Sequence, residues 1–180
     1  MGGFIDLVKK RRSVRHYSSD PVPRDMIEAC IEAARYAPTA CNTQSWRFIV
    51  VEGELKENLV KESLGGVVIP NRWANEAPVI VVIATDLDIV THRVGGRIKG
   101  IDYHLIDAGI AGEHFVLQAT ELGLGTCWIG WFNKKAVKKM LDLPGRWEVS
   151  AMITVGFPTG ETTDKKRKSI EEISDFREPK

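Results

Sequence analysis

A cluster of cationic and hydroxyl side chains lies near the start of the chain, in the order Arg11-Arg12-Ser13-Val14-Arg15. Guanidinium groups bind phosphate oxygens in pairs, and a serine hydroxyl adds a further donor. In an extended segment alternate side chains point the same way, so Arg11, Ser13 and Arg15 would face one ligand. The cluster is a candidate phosphate site, but basic clusters taken alone are usually solvated surfaces.

Two later segments have the composition of a site for a flat ligand with many hydrogen-bonding groups. Residues 37–46 read APTACNTQSW, which is rich in amides and hydroxyls. Residues 123–132 read GLGTCWIGWF, in which a glycine lies between two tryptophans. Glycine lets a ligand approach the backbone closely, and indole rings can wall a pocket.

Other common catalytic patterns are missing from the sequence. The four histidines have no metal-ligand spacing, and the three cysteines form no Cys-x-x-Cys pair. There is no Gly-x-Ser-x-Gly elbow, no Walker loop, and no Gly-x-Gly-x-x-Gly after a strand. A metal site, a covalent hydrolase and a Rossmann nucleotide site are therefore all disfavoured.

Composition predicts a globular domain without a general affinity for nucleic acid or membranes. The chain has 180 residues, 43% hydrophobic and 27% charged, and a formal net charge of +1. Nucleic-acid and membrane-surface binders usually carry a clear basic excess. The longest apolar run, residues 78–84, is far shorter than the roughly 20 residues that span a bilayer. With no signal-peptide pattern at the N-terminus, we expect a cytoplasmic protein.

The elements that must position these segments follow from hydrophobic periodicity and breakers. Residues 46–51 lack strict alternation, which predicts a strand covered on both faces. Cys30 falls on the apolar face of a helix and is predicted to be core. The polar loop (residues 39–45) joins that helix to the first strand, and residues 86–100 form a loop or lid. Helices are predicted at 4–10, 23–36, 55–64, 101–122 and from the Asn133 cap to about 143, and strands at 46–51, 79–84, 126–129 and 147–157.

The longest predicted helix, residues 101–122, has a seam of small residues that includes Gly109 and Gly112. A glycine inside a helix costs about 1 kcal/mol relative to alanine, so a close neighbour should offset that cost. The neighbour is either a dimer partner or another element of the same subunit. Residues 159–180 are polar and charged, which predicts a disordered tail or an arm laid over a partner.

In their order and spacing these motifs resemble the nitroreductase family of FMN-dependent oxidoreductases. The resemblance rests on Arg-Arg-Ser-x-Arg, Ala-Pro-Thr-x-x-Asn-x-Gln-x-Trp, Gly-Leu-Gly-Thr-Cys-Trp-Ile-Gly and Val-Gly-Phe-Pro, and runs from residue 11 to about 173. It implies an α+β fold with a mixed, mostly antiparallel central sheet flanked by helices. It also implies one FMN-binding domain over residues 1–180, in a homodimer whose domain-swapped C-terminal arm, residues 158–180, reaches the partner subunit.

The resemblance further implies which residues hold FMN at the dimer interface. Arg11 and Ser13 match positions that bind the phosphate, Arg12 lines the ribityl side, and Arg15 lies near the pyrimidine edge of the flavin. The other implied contacts are Pro38, Thr39, Ala40 and Asn42 in a loop from the second subunit, Asn71 at the flavin ring, Ile129 and Gly130 near flavin N5, and Lys165 and Arg167 at the phosphate.

The implied activity is electron transfer from NADH or NADPH to nitroaromatics, quinones or similar small electron-poor acceptors, by a ping-pong mechanism. Hydride transfer needs no side-chain acid or base, because the flavin supplies the redox chemistry. Arg15 and Gly130 would tune the flavin, and Trp73 and Trp131 are candidate pocket walls.

Two alternatives remain open at this point. One is reductive dehalogenation or flavin-modifying chemistry within the same superfamily. The other, from a different class, is a non-catalytic module that binds nucleic acid through its two basic runs, residues 9–15 and 165–168. The balanced net charge argues against this second alternative.

Overall fold

A computed structural model of the protein describes residues 3–65, 71–87, 102–160 and 165–177. The loop or lid predicted over residues 86–100 therefore lies almost wholly outside the described residues. Among the described residues, no helix is both long enough and apolar enough to cross a membrane.

Four strands form one antiparallel sheet at the centre of the described structure. They are β1 (Trp46–Glu52), β2 (Val79–Asp86), β3 (Gly125–Ile129) and β4 (Trp147–Gly156), in the spatial order β1-β2-β4-β3. All three strand pairings are antiparallel. The mostly antiparallel sheet expected from the resemblance is thus confirmed, and an isolated bridge between Ser13 and Thr126 is parallel.

The described residues include six α-helices. They are α1 (Phe4–Lys10), α2 (Arg24–Arg35), α3 (Gly53–Leu64), α4 (Tyr103–Glu121), α5 (Lys134–Met140) and α6 (Ile170–Ile173). The predicted Asn133 cap of α5 is confirmed, because the Asn133 side chain accepts a hydrogen bond from the Ala136 N–H. The helix ends at Met140, a few residues earlier than the basic run indicated.

The alternating side chains of β2 divide the core into two layers. Val79, Val81 and Ile83 pack in one cluster with α2 and α4, whereas Ile80 and Val82 pack on the other face with α3 and α5. Every residue of β2 is buried, as its β-branched composition predicts. Cys30 is fully buried in the α2–α4 layer, which confirms its predicted place in the core.

The predicted coverage of β1 on both faces is confirmed. Trp46 and Phe48 pack in the cluster with α2 and α4, whereas Ile49 and Val51 pack in the cluster with α3 and α5. The strand lies at one edge of the sheet, and Val50, near its end, is 38% exposed. An edge strand can therefore still be covered on both faces, and the nearly unbroken apolar run reflects that coverage.

The two glycines in the seam of α4 have different surroundings. A methyl group on Gly112 would overlap the Trp128 ring and lie 2.9 Å from Ile83 Cδ1, so this glycine lets the helix approach the sheet of its own subunit. A methyl group on Gly109 would meet nothing within 4 Å. Packing within one subunit therefore accounts for Gly112, and Gly109 lies on an open face.

Candidate functional site

The arginine segment is fixed to the sheet by hydrogen bonds of its backbone. The Val14 N–H donates to the Thr126 carbonyl at 2.8 Å, next to the bridge between Ser13 and Thr126. The buried Tyr17 hydroxyl lies 2.5 Å from the Val14 carbonyl and 2.7 Å from Thr154 Oγ1. The segment therefore runs extended along β3, as the alternation argument requires.

Three of the predicted phosphate ligands, Arg11, Ser13 and Lys165, all lie close enough to Cys127 of β3 to affect its thiol. Lys165 Nζ donates to Ser13 Oγ at 3.3 Å, which brings the C-terminal tail to the N-terminal cluster. Arg11 Nε lies 3.7 Å from a carboxylate oxygen of Glu113 on α4, and its side chain is only 18% exposed. The arrangement places two cations and a hydroxyl where a phosphate could bind.

The pKa of the buried Cys127 thiol is affected by the same positive charges. Burial raises its pKa, while Arg15, Lys165, a hydrogen bond from Ser13, and Arg11 all act to lower it. The sequence had singled out no role for Cys127, and its place below the cluster follows from the bridge between the N-terminal segment and β3.

The structure engages Arg12 and Arg167 elsewhere. Arg12 Nη1 donates to the carbonyls of Lys9 and Arg11, at the C-terminal end of α1, where helix carbonyls lack partners. Arg167 Nη1 donates to the Lys166 carbonyl in an exposed part of the tail. The assignments of Arg12 to the ribityl chain and of Arg167 to the phosphate stay predictions.

A second group of side chains walls the space beyond the end of β3. The Arg15 guanidinium lies 5.4 Å from the centre of the Trp73 ring, which is within the range of a cation–π contact. Trp73 Nε1 donates to Asn71 Oδ1 at 3.2 Å, and Asn71 Nδ2 donates to the Trp131 carbonyl at 3.1 Å. Asn71 therefore links the two candidate walls, a contact that the sequence did not predict.

Gly130 borders open space in this group. A methyl group added to it would meet nothing within 4 Å, and its neighbour Trp131 is 61% exposed. Ile129 is buried against the α3–α5 layer and contributes backbone rather than side chain. The end of β3 therefore presents accessible backbone between an exposed indole and the Arg15–Trp73 pair.

The polar loop has an unusual backbone. Three of its non-glycine residues, Cys41, Asn42 and Gln44, have φ values of 53°, 54° and 47°. The left-handed region costs a non-glycine residue about 1 kcal/mol or more, so other contacts must hold the loop in this shape.

Asp107 of α4 supplies such contacts. Its carboxylate accepts hydrogen bonds from Thr39 Oγ1 at 3.1 Å and from the Ala40 N–H at 3.1 Å, and the residue is 4% exposed. Sequence analysis missed Asp107. The available signal was that the Asp107 carboxylate directly precedes Ala108 in the small-residue seam of this helix, where a buried carboxylate needs hydrogen-bond donors.

The polar loop and the phosphate cluster lie on different sides of α4. Asp107 meets the loop and Glu113 meets Arg11, and six helical residues separate two side chains by about 120° around the axis and about 9 Å along it. The structure thus brings together Arg11, Ser13, Arg15 and Lys165, and it places Thr39 and Ala40 at a separate location in the same chain.

No group of three or more His, Cys, Asp or Glu side chains able to hold a metal ion exists within the described ranges. Within these ranges the candidate site consists mainly of cations, hydroxyls, amides and indoles. Such side chains could bind an anionic, planar molecule through charge-assisted hydrogen bonds and stacking.

Comparisons with known proteins agree with the motifs. An NADH dehydrogenase of Thermus thermophilus is 27% identical over 190 residues, which cover 91% of this chain and 91% of the relative. Iodotyrosine deiodinase 1 of Rattus norvegicus is 27% identical, over 94% of this chain and 68% of the relative.

Among solved structures, an FMN-dependent nitroreductase of Clostridium difficile R20291 superposes with a TM-score of 0.79 at 28% identity. The match covers 96% of this chain and 98% of that one. The model of the nitroreductase family matches residues 8–157, which include the arginine segment, the polar loop and all four strands. This chain belongs to the nitroreductase family and is an oxidoreductase.

Proposed function

We propose that this protein binds FMN between two subunits of a homodimer and transfers electrons from NADH or NADPH to a small, electron-poor acceptor such as a quinone or a nitroaromatic. The observation that carries the proposal is the cluster of Arg11, Ser13 and Lys165 beside β3, drawn from both ends of the chain. The names of an FMN-dependent nitroreductase and an NADH dehydrogenase among similar proteins support the cofactor and the donor.

The cationic cluster fits the phosphate of FMN. The phosphate carries close to two negative charges, and a chain with a net charge of +1 must gather cations locally to hold it. Arg11 and Lys165 supply such charges, and Ser13 Oγ, now accepting from Lys165, would donate its own proton to a phosphate oxygen.

The open space at Gly130 fits the flavin ring. A side chain at this position would fill the space that a planar ring needs beside the backbone. Arg15 is held near this space by its contact with Trp73, and a cation there would favour negative charge on the pyrimidine edge of the ring. When bound, FMN supplies the capacity to take a hydride from the donor and give electrons to the acceptor.

The residues of the chain then have binding and orienting roles only. Trp131 is an exposed indole on which a planar donor or acceptor can stack, and Asn71 holds its backbone through the Trp131 carbonyl. Because donor and acceptor would share this one space, they bind in turn, which gives ping-pong kinetics.

Exposed apolar side chains support the homodimer. Phe4 and Ile5 on α1 and Ile106 on α4 are more than half exposed, and Ile106 lies about one helical turn from the open face at Gly109. Exposed apolar surface of this kind is typical of a surface that binds another protein chain. The exposed apolar residues of the tail are Ile170, Ile173 and Phe176.

These tail residues support residues 158–180 as an arm over the partner, since an arm with nothing to bury would gain little by binding. The single domain, the arm and the cytoplasmic location stay predictions.

Reductive dehalogenation is the second candidate, favoured by the similarity to iodotyrosine deiodinase 1. It uses the same FMN site and differs in the acceptor. Membership of an oxidoreductase family argues against the non-catalytic, basic-armed module.

Steady-state kinetics under anaerobic conditions test the proposed activity. Initial rates are measured with NADH or NADPH against a quinone, a nitroaromatic and a halogenated tyrosine. Parallel double-reciprocal lines with a quinone or nitroaromatic are expected, whereas intersecting lines would contradict the shared pocket. Halide release from the halogenated tyrosine at a higher kcat/KM than either would favour dehalogenation.

A further inference from the structure

We propose that Asp107 is a positioning residue: its buried carboxylate holds the polar loop in the conformation in which the loop completes the FMN site of the partner subunit. The inference rests on the function proposed above. It assigns a role to a residue that none of the sequence motifs contains.

The contacts of Asp107 are those of a dedicated anchor. One carboxylate oxygen lies 3.1 Å from the Ala40 nitrogen, and the other lies 3.1 Å from Thr39 Oγ1 and 3.2 Å from the Ala40 nitrogen. Only 4% of the residue is exposed. A buried carboxylate requires hydrogen-bond donors, and both donors here come from the loop.

The carboxylate also sets the direction of the hydrogen bonds within the loop. An ionised carboxylate only accepts, so the single hydroxyl hydrogen of Thr39 must point to Asp107. The lone pairs of Thr39 Oγ1 then accept from the Gln44 N–H at 3.2 Å and from the Thr43 hydroxyl at 3.0 Å. One carboxylate therefore orders donors at both ends of the loop.

The backbone of the loop explains why such an anchor is needed. Cys41, Asn42 and Gln44 all have positive φ, and a chain of non-glycine residues does not hold three such angles without external contacts. The backbone conformation of the polar loop is thus preorganised before any ligand binds. Preparation of a binding loop in advance raises affinity, because the loop loses less freedom on binding.

The position of the anchor indicates that its effect is exerted in the partner's site. Asp107 faces the loop about 120° around α4 from Glu113, which faces the phosphate cluster of its own subunit. A loop held on this side of the helix is directed away from its own cluster. The prediction is that damage to Asp107 affects the FMN site built on the partner's Arg11.

The first experiment measures the FMN dissociation constant of the apo-protein by quenching of flavin fluorescence. Asp107→Asn removes the negative charge and leaves one acceptor oxygen for the two donors, so the hydrogen bonds from Thr39 and Ala40 lose their charge assistance. We expect binding about tenfold weaker than wild type. Asp102→Asn, the same change at an exposed position at the start of α4, is the matched control and should bind FMN as wild type does.

The second experiment separates positioning from a merely structural role. A mixed dimer is purified from differently tagged chains, one carrying Arg11→Ala and the other Asp107→Asn. If Asp107 acts on the partner's site, both defects fall in one site and the other site is native. Half of the sites should then bind FMN with wild-type affinity. If Asp107→Asn does not fold, Thr39→Val removes the same contact from the loop side and takes its place.

Each outcome decides a different point. Wild-type affinity in Asp107→Asn, or a mixed dimer without any site of wild-type affinity, overturns the role of Asp107 and leaves the FMN proposal standing. Failure of the wild-type protein itself to bind FMN overturns both.

Discussion

At the scale of single residues, the account depends on Arg11. Its half-buried guanidinium beside Ser13 and Lys165 is the main source of charge for the proposed phosphate site. Replacing Arg11 with alanine should weaken FMN binding about tenfold to a hundredfold, because a charge-assisted hydrogen bond contributes roughly 1.5–3 kcal/mol. FMN remaining after dialysis measures the loss, and full retention by a folded variant would remove Arg11 from the site.

Removing the negative charge of Glu113 should affect FMN affinity in the opposite direction to removing the positive charge of Arg11. The Glu113 carboxylate lies 3.7 Å from Arg11 Nε and would oppose a phosphate at the same place. Glu113→Gln keeps the shape of the side chain and should leave FMN binding equal or tighter, by no more than about fivefold because the carboxylate is partly exposed. Weaker binding would mean that Glu113 orients Arg11, and the simple charge argument would be wrong.

The sequence indicated which residues could bind a phosphate, but it did not indicate which side chains hydrogen-bond to each other. Strand alternation predicted that Arg11, Ser13 and Arg15 face the same way, and the family resemblance implied the position of Lys165 beside them. The Asn71–Trp131 link and the Asp107 anchor were not predicted, because each joins residues that are far apart in sequence and belongs to no periodic pattern.

At the scale of elements, helix α4 carries the strongest prediction. A methyl group at Gly112 would overlap Trp128, and overpacking of this kind costs about 1–3 kcal/mol. Gly112→Ala should lower the free energy of unfolding by that amount in urea titrations. Gly109→Ala, the same change on the face that a second subunit would cover, meets no atom of its own subunit, so it should leave the unfolding of the subunit unchanged or stabilise it by up to about 1 kcal/mol, and any cost should appear in dimer association instead. Equal effects of the two changes would contradict the proposed packing.

The C-terminal tail is the second element with a clear test. Truncation before Thr163 removes Lys165 together with the exposed apolar residues of the tail, so it should weaken both the dimer and FMN retention. Lys165→Ala is the matched variant, and it should lower FMN affinity while leaving the dimer intact. Analytical ultracentrifugation and flavin content measure the two effects. An unchanged dimer after truncation would contradict the arm.

Element types were predictable because periodicity and breakers are local. The nearly all-β-branched run at 79–84 was recognisable as a strand, and the Asn133 cap as a helix start. The place of β1 at the edge was not predictable in the same way, because strand order depends on pairings between distant segments.

At the scale of the whole molecule, burial of acidic groups predicts how stability depends on pH. Burial raises the pKa of the Cys30 thiol from 9.0 to about 12, and burial also raises the pKa of the Tyr17 hydroxyl. The unfolded chain therefore loses these protons at lower pH than the folded one. The contribution of Cys30 to stability is complete below about pH 9 and is lost as pH rises towards 12, whereas that of Tyr17 is lost over a more alkaline range.

Between its unfolded and folded pKa values, each of these two groups lowers the free energy of unfolding by about 1.4 kcal/mol per pH unit. Cys30→Ala removes one of them, so its stability should fall less steeply with pH than that of the wild type. Urea titrations between neutral and alkaline pH give the two slopes. Identical slopes would mean that Cys30 does not contribute.

The fold was predictable as a whole from the family motifs, whereas the dimer requires contacts that a single chain does not contain. The open face at Gly109 and the exposed apolar residues of α1 and the tail are the surfaces that a second subunit would cover.

The central claim is that the Arg11–Ser13–Lys165 cluster and the open backbone at Gly130 hold FMN. The most direct measurement is the visible absorption spectrum of the freshly purified protein, with the released cofactor identified by chromatography. The account predicts flavin bands and one FMN per chain. A colourless protein that also fails to take up added FMN would contradict it.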